Sequence, residues 1–147
     1  MKSSISVGTR TPNILVILFD DLGFSQFGCF GSEIDTPNID RLASQGLRYN
    51  RFHVTSICSA SRACLLTGRN HHAVGVGTLV RNMPQGTPPG YTGRIVDGAG
   101  TLPRILRGAG YNTAAFGKWH LTPGSDESPA GPFDHWPLGL GFERFYG

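Results

Sequence analysis

Asn13 to Phe19 is a short, continuous apolar run rich in β-branched residues. That pattern predicts a strand buried on both faces of a parallel sheet. It runs into Asp20-Asp21-Leu22-Gly23, a loop signal. Thr36-Pro37 opens a helix, with Thr36 as N-cap, Pro37 at the first helical position and Asp40 in the first turn. Ile39, Leu42 and Ala43 form its apolar stripe, and Gly46 suits its C-terminal cap. Leu47 to Val54 reads as a second extended segment. A further helix starts near Cys58 and ends by Gly68. Asn82 to Gly100, rich in glycine and proline, reads as a long surface loop. Thr101 to Ala109 is again helical, capped by Thr101 with Gly110 just past its end; Tyr111 to Phe116 is a strand; Gly124 to Pro137 is loop.

This succession predicts an α/β fold with a mainly parallel sheet and flanking helices. Ligands of such sheets gather beyond the carboxyl ends of the strands. Asp20-Asp21 ends the first strand and Lys118-Trp119-His120 ends the last, so two polar sets are expected at one edge of one sheet. Residues 1–12 read as a flexible lead-in and 13–147 as one folded portion.

Composition narrows the class. The chain has 147 residues, 39% of them hydrophobic, which suits a folded globular portion rather than a disordered one. Thirteen basic against ten acidic residues give a formal charge of +3, and the basic residues are scattered. No nucleic-acid footprint is expected. The longest apolar run is far too short for a membrane span. Met1 to Thr11 lacks the apolar core of a secretory signal, so the expected location is cytoplasmic, or periplasmic or secreted if the true start lies upstream. Three cysteines, Cys29, Cys58 and Cys64, are too few and too odd for a disulfide framework, and Cys29 and Cys64 read as packing residues.

The candidate chemistry centres on Cys58-Ser59-Ala60-Ser61-Arg62, followed by Leu65-Leu66-Thr67-Gly68-Arg69. A cysteine at a helix start sits among uncapped N–H groups at the positive end of the helix dipole. With Arg62 one turn on, that setting suits a nucleophile acting on an anion. The plain alternative for Cys58 is a buried thiol. Asp20 and Asp21 offer two hard oxygen ligands, suited to Ca²⁺ or Mg²⁺; the alternative is one cap and one solvated side chain. Lys118 and His120, alternate residues on an extended segment, face one side while Trp119 packs the other way. Ser61 can support the turn. His71 and His72 diverge as sequence neighbours, and Asp134, His135 and Trp136 in a proline-rich loop carry less.

The Cys58 to Arg69 stretch closely resembles the sulfatase signature, Cys-x-Pro/Ala-Ser-Arg followed by Leu-Thr-Gly-Arg, with Ala60 where proline is commoner. Gly117-Lys118-Trp119-His120 resembles that family's Gly-Lys-Trp-His element, and Asp20-Asp21 its carboxylate pair after the first strand. The resemblance implies that Cys58 is oxidised after translation to formylglycine by a maturation enzyme. The hydrated aldehyde would attack the sulfur of a sulfate ester, small-molecule or glycan, and its second hydroxyl would then expel sulfate. It further implies that Asp20, Asp21 and residue 58 share a divalent cation, usually calcium. Arg62 would lie against the formylglycine and the carboxylates. Lys118 would meet the sulfate and its leaving oxygen, and His120 the formylglycine.

The resemblance runs from about Asn13 to Gly147 but covers only the N-terminal part of a sulfatase. The family's second metal pair has no counterpart here; neither Asp97-Gly98 nor Asp134-His135 matches it. The 147 residues alone are therefore expected to bind metal weakly, to aggregate or stay partly molten, and to turn over little substrate. Two other readings stay open: a phosphoester or phosphonate hydrolase of the same superfamily, and a truncated, non-catalytic product.

Overall fold

A computed structural model describes residues 11–147. The expected lead-in over 1–12 falls, for residues 1–10, outside the described residues. The chain divides into two compact units, residues 1–50 and residues 51–147.

In the first unit, 3-10 turns at Phe24–Gln26 and Gly28–Phe30 precede helix α1, Pro37–Gln45. The N-terminus of α1 is fixed differently from the expectation. Thr36 precedes the helix, but its side chain does not cap it. Instead Thr36 Oγ1 donates to Asp40 Oδ1 at 2.9 Å and accepts the Gly28 N–H at 2.8 Å. Asp40 Oδ1 also accepts the Cys29 N–H at 2.7 Å, so the first turn of α1 holds the preceding 3-10 turn. A Cβ at Gly28 would stand 2.6 Å from Asp40 Oδ2, so a larger residue there would displace the carboxylate that holds this turn. Gly46 closes the helix in an extended rather than left-handed conformation.

Two predicted strands of this region do not form. Residues 13–19 and 47–54 carry no strand assignment, and their apolar side chains are exposed, Leu15 at 84% and Leu47 at 85%. The physical reason is that a strand buried on both faces needs hydrogen-bonded neighbours and cover on each side. The one sheet among the described residues contains only two other strands. The expectation that Asp20-Asp21 and Lys118-His120 end strands of a single sheet is corrected accordingly.

The second unit holds helix α2 at Cys58–Thr67, helix α3 at Leu102–Gly108, and strands β1 at Ala114–Phe116 and β2 at Arg144–Tyr146. Strand β1 lies within the predicted 111–116, and β2 was not foreseen. The two pair in parallel, Ala114 opposite Arg144 and Phe116 opposite Tyr146. This is a small α/β arrangement with flanking helices. Helix α2 presents Ala60, Ala63 and Leu66 inward at helical spacing, and Gly68 ends it in a left-handed conformation, as the sequence indicated. Ala63 and Leu66 pack with Val74, Val76, Val80, Ile95, Leu121 and Leu140, and Trp119 and Phe142 close over them. Thr101 precedes α3, yet its hydroxyl donates to the Leu140 carbonyl at 2.5 Å instead of capping the helix. The 82–100 segment is irregular apart from a 3-10 turn at Pro89–Tyr91. Among the described residues no helix is long and apolar enough to cross a membrane.

Candidate active site

Cys58 occupies the first position of α2. The residue before it, Ile57, has no side chain able to cap, so Cys58 stands at the positive end of the helix dipole with no cap from that side chain. The approach to the helix is tied down instead. Thr55 Oγ1 donates to the Ile57 carbonyl at 2.9 Å, and Ser61 Oγ lies 2.7 Å from Thr55 Oγ1 and accepts the Thr55 N–H at 3.2 Å. Ser61 thus supports the turn that delivers Cys58. Ser59 and Ala60 are buried behind it, which turns Cys58 away from the core. All three cysteines are free thiols.

The segment after β1 comes to Cys58. Gly117 has φ +84° and His120 has φ +57°, so the chain leaves the strand through two left-handed residues rather than as an extended ribbon. The simple alternation expected for Lys118 and His120 is therefore corrected. It is through these turns that His120 reaches the start of α2. His120 Nδ1 stands 3.1 Å from Cys58 Sγ. Arg62 Nη1 donates to the Lys118 carbonyl at 2.5 Å. Lys118 is exposed, and Trp119 packs with the core and edge-on to Phe142, ring centroids 5.9 Å apart. Cys58 and His120, sixty-two positions apart, thus meet side chain to side chain, and Arg62 reaches the backbone of Lys118 in the same segment. A thiol beside an imidazole within hydrogen-bond reach at a helix start is an arrangement suited to nucleophilic attack on an anion.

Asp20 and Asp21 follow the unpaired apolar run. Asp20 is half-buried and Asp21 exposed, with φ +56°. Their oxygens match in kind what a hard divalent cation takes, but calcium takes about six to eight. No group of three or more His, Cys, Asp or Glu able to hold a metal occurs among the described residues. The pair fits such a cation only as part of a ligand set.

His71 and His72 are engaged locally. His71 Nδ1 lies 2.9 Å from the Val76 carbonyl, and His72 Nε2 lies 3.1 Å from Tyr91 Oη. His135 proves more than a loop residue. It is buried, at 6% exposure, and its Nδ1 lies 2.5 Å from Oδ2 of Asp126, itself buried at 5%. Hydrogen bonds from Ser125 and His135 hold the Asp126 carboxyl below its usual range, against the opposing effect of burial. Sequence reasoning passed over Asp126 because nothing local marks it; its partner is nine positions away through a proline-rich loop. Two open concavities, about 510 Å³ beside Arg107, Tyr111 and Glu143 and about 420 Å³ beside Asp97, His135 and Leu140, take in neither Cys58 nor His120. The site is identified by its hydrogen bonds rather than by concavity.

Comparison with known proteins agrees with this geometry. The family model described as Sulfatase matches residues 12–147. The chain is 42% identical over 142 residues to human arylsulfatase A, covering 94% of this chain and 25% of that protein. It is 36% identical over 126 residues to the arylsulfatase of Klebsiella aerogenes, covering 84% and 27%. The solved structure of Ps i-CgsB superposes with a TM-score of 0.75 at 33% identity, covering 92% of this chain and 28% of that one. The chain spans about a quarter of the length of the curated relatives it matches. The strength and extent of these matches show that the chain belongs to the sulfatase family.

Proposed function

We propose that this chain is the part of a sulfuric ester hydrolase that carries the nucleophile, with residue 58 as the attacking position. The observation that carries the reading is the 3.1 Å approach of His120 Nδ1 to the Cys58 side chain at the start of α2. Sulfatases in general depend on formylglycine and a metal ion, and we infer that Cys58 is the residue converted, by a maturation enzyme acting on the Cys58 to Arg62 stretch. Formylglycine at this position supplies a hydrated aldehyde whose oxygen is the nucleophile and whose second hydroxyl allows sulfate to be expelled.

The remaining work falls to side chains of this chain. His120 orients the side chain at 58 and exchanges a proton with it through Nδ1. The start of α2 and Arg62 favour negative charge at that point. Arg62 also holds the Lys118 backbone through its carbonyl, and Lys118 supplies a point charge to a sulfate oxygen and to the leaving oxygen. Asp20 and Asp21 would hold a divalent cation as two ligands of a larger set, with calcium favoured by its need for many hard oxygens. The substrate is a sulfate ester of a small molecule or glycan. In support, relatives include an N-acetylgalactosamine-6-sulfatase and a steryl-sulfatase, and one Ps i-CgsB structure is a complex with k-i-k-neocarrahexaose.

Peptide mass spectrometry of the protein from its native source tests the reading. Formylglycine at position 58, with aryl sulfate cleaved in preference to aryl phosphate, is the expected result. Unmodified thiol alone would argue against it, and preferred cleavage of the phosphate ester would transfer the site to the phosphoester hydrolases.

A further inference from the structure

The turn that brings His120 to Cys58 holds a non-glycine residue at φ +57°. A residue in that region is strained and persists only where its surroundings over-determine it. What fixes the turn is visible on both of its sides. On one side Arg62 grips the Lys118 carbonyl and Cys58 meets His120. On the other, the two residues that bracket His120 converge on one acceptor. Trp119 Nε1 donates to the His135 carbonyl at 3.1 Å, and Thr122 Oγ1 donates to the same oxygen at 3.2 Å.

That acceptor is itself anchored. His135 Nδ1 lies 2.5 Å from the buried Asp126 carboxylate, whose other oxygen accepts Ser125 Oγ at 2.7 Å. Trp136 Nε1 donates to the Asp126 carbonyl at 2.7 Å, so backbone and side chain of Asp126 both hold the 135–136 pair. The Ser125 N–H is in turn bound by Asn82 Oδ1 at 2.7 Å. A buried carboxylate–imidazole pair is a costly feature to keep in a loop, and removing one partner leaves the other unsatisfied. Here its effect is to place one carbonyl oxygen under two donors that flank a candidate catalytic histidine.

We infer that Asp126 and His135 are positioning residues: through the His135 carbonyl they hold Trp119 and Thr122, and thereby fix the left-handed His120 turn against Cys58. The importance of this for catalysis rests on the sulfatase reading; the positioning itself does not. Imidazoles oriented through a second residue are a recurrent way of setting ring direction at reacting centres. This arrangement differs in acting on the backbone either side of the ring rather than on its second nitrogen.

The test uses the whole chain in its thiol form, labelled with ¹⁵N-histidine, in two variants. Thr122→Val removes one donor to the His135 carbonyl with little change of shape. Asp126→Asn removes the charge that holds the His135 ring. The readouts are the His120 imidazole signals and the alkylation rate of Cys58, followed by peptide mapping at one fixed pH. Both variants are expected to keep a folded circular dichroism spectrum, to move the His120 signals, and to change Cys58 alkylation by about threefold or more. Folded variants whose His120 signals and Cys58 rate equal those of the parent would overturn the inference. Should Asp126→Asn fail to fold, Thr122→Val decides alone. Neither readout needs formylglycine or a sulfate ester. Absence of formylglycine would remove the proposed function and leave the positioning result standing, whereas unmoved His120 signals would do the reverse.

Discussion

Asp21 and His120 are the non-glycine residues with positive φ among those described, and both are candidate site residues by their chemistry together with the family resemblance. Strain and chemistry coincide there, as expected where a turn is kept for what it presents rather than for stability. Residue identity also bears on how acid acts on this chain. Asp126 has its folded-state pKa lowered, first by the Ser125 hydrogen bond and then by His135. A depressed carboxylate stabilises the fold above its unfolded value, near 3.8, and that stabilisation is lost as pH falls through the lower folded value. Urea unfolding followed downward from neutral pH should therefore show an acid-side loss of stability, and Asp126→Asn should flatten it. An unchanged acid limb in the variant would assign the loss to other carboxylates. The residues of the Cys58 to Arg69 stretch were legible from sequence because their chemistry is local; the Asp126–His135 pair was not, because a loop of prolines conceals which distant side chain faces which.

Helix α2 shows how an element converts a sequence motif into a site. One turn presents Cys58 and Arg62 outward while Ser59, Ala60, Ala63 and Leu66 anchor the other face. The neighbours Leu65 and Leu66 separate these faces cleanly, at 46% and 6% exposure. Leu66→Ala should cost about 2–5 kcal/mol, and Leu65→Ala well under that. Chemical unfolding of the two variants checks it; equal losses would mean that α2 is rotated from the orientation described. Helix positions were legible because 3.6-residue periodicity and Gly/Pro punctuation are local signals. The caps were less so: Thr36 and Thr101 stand before helices as expected, yet neither hydroxyl caps its helix; Thr36 Oγ1 bonds the Asp40 carboxylate and the Gly28 N–H, and Thr101 Oγ1 the Leu140 carbonyl.

At the scale of the whole molecule, the apolar run Ile14 to Phe19 is the open question of burial. Its six side chains are 43% to 84% exposed, and Leu47, Tyr49, Phe52 and Val54 are exposed as well. So many exposed apolar side chains favour association. As a separate polypeptide the chain should sediment as dimers or larger species, and Leu15→Lys with Ile17→Lys should shift it toward monomer. Monomeric parent chain in sedimentation velocity would show that this surface is covered. Sequence by itself determined the helices, the glycine that ends α2, the irregular 82–100 segment and the motif that places the chain in its family. Each of those rests on spacing within a few residues or on a motif. Only the tertiary structure decided that Asn13 to Phe19 stands without a strand partner among the described residues, that His120 reaches Cys58 through left-handed turns, and that Asp126 and His135 stand behind that turn. Those outcomes depend on contacts between residues far apart in the chain, and burial, strain relief and hydrogen-bond pairing across such distances are fixed only when the backbone has closed.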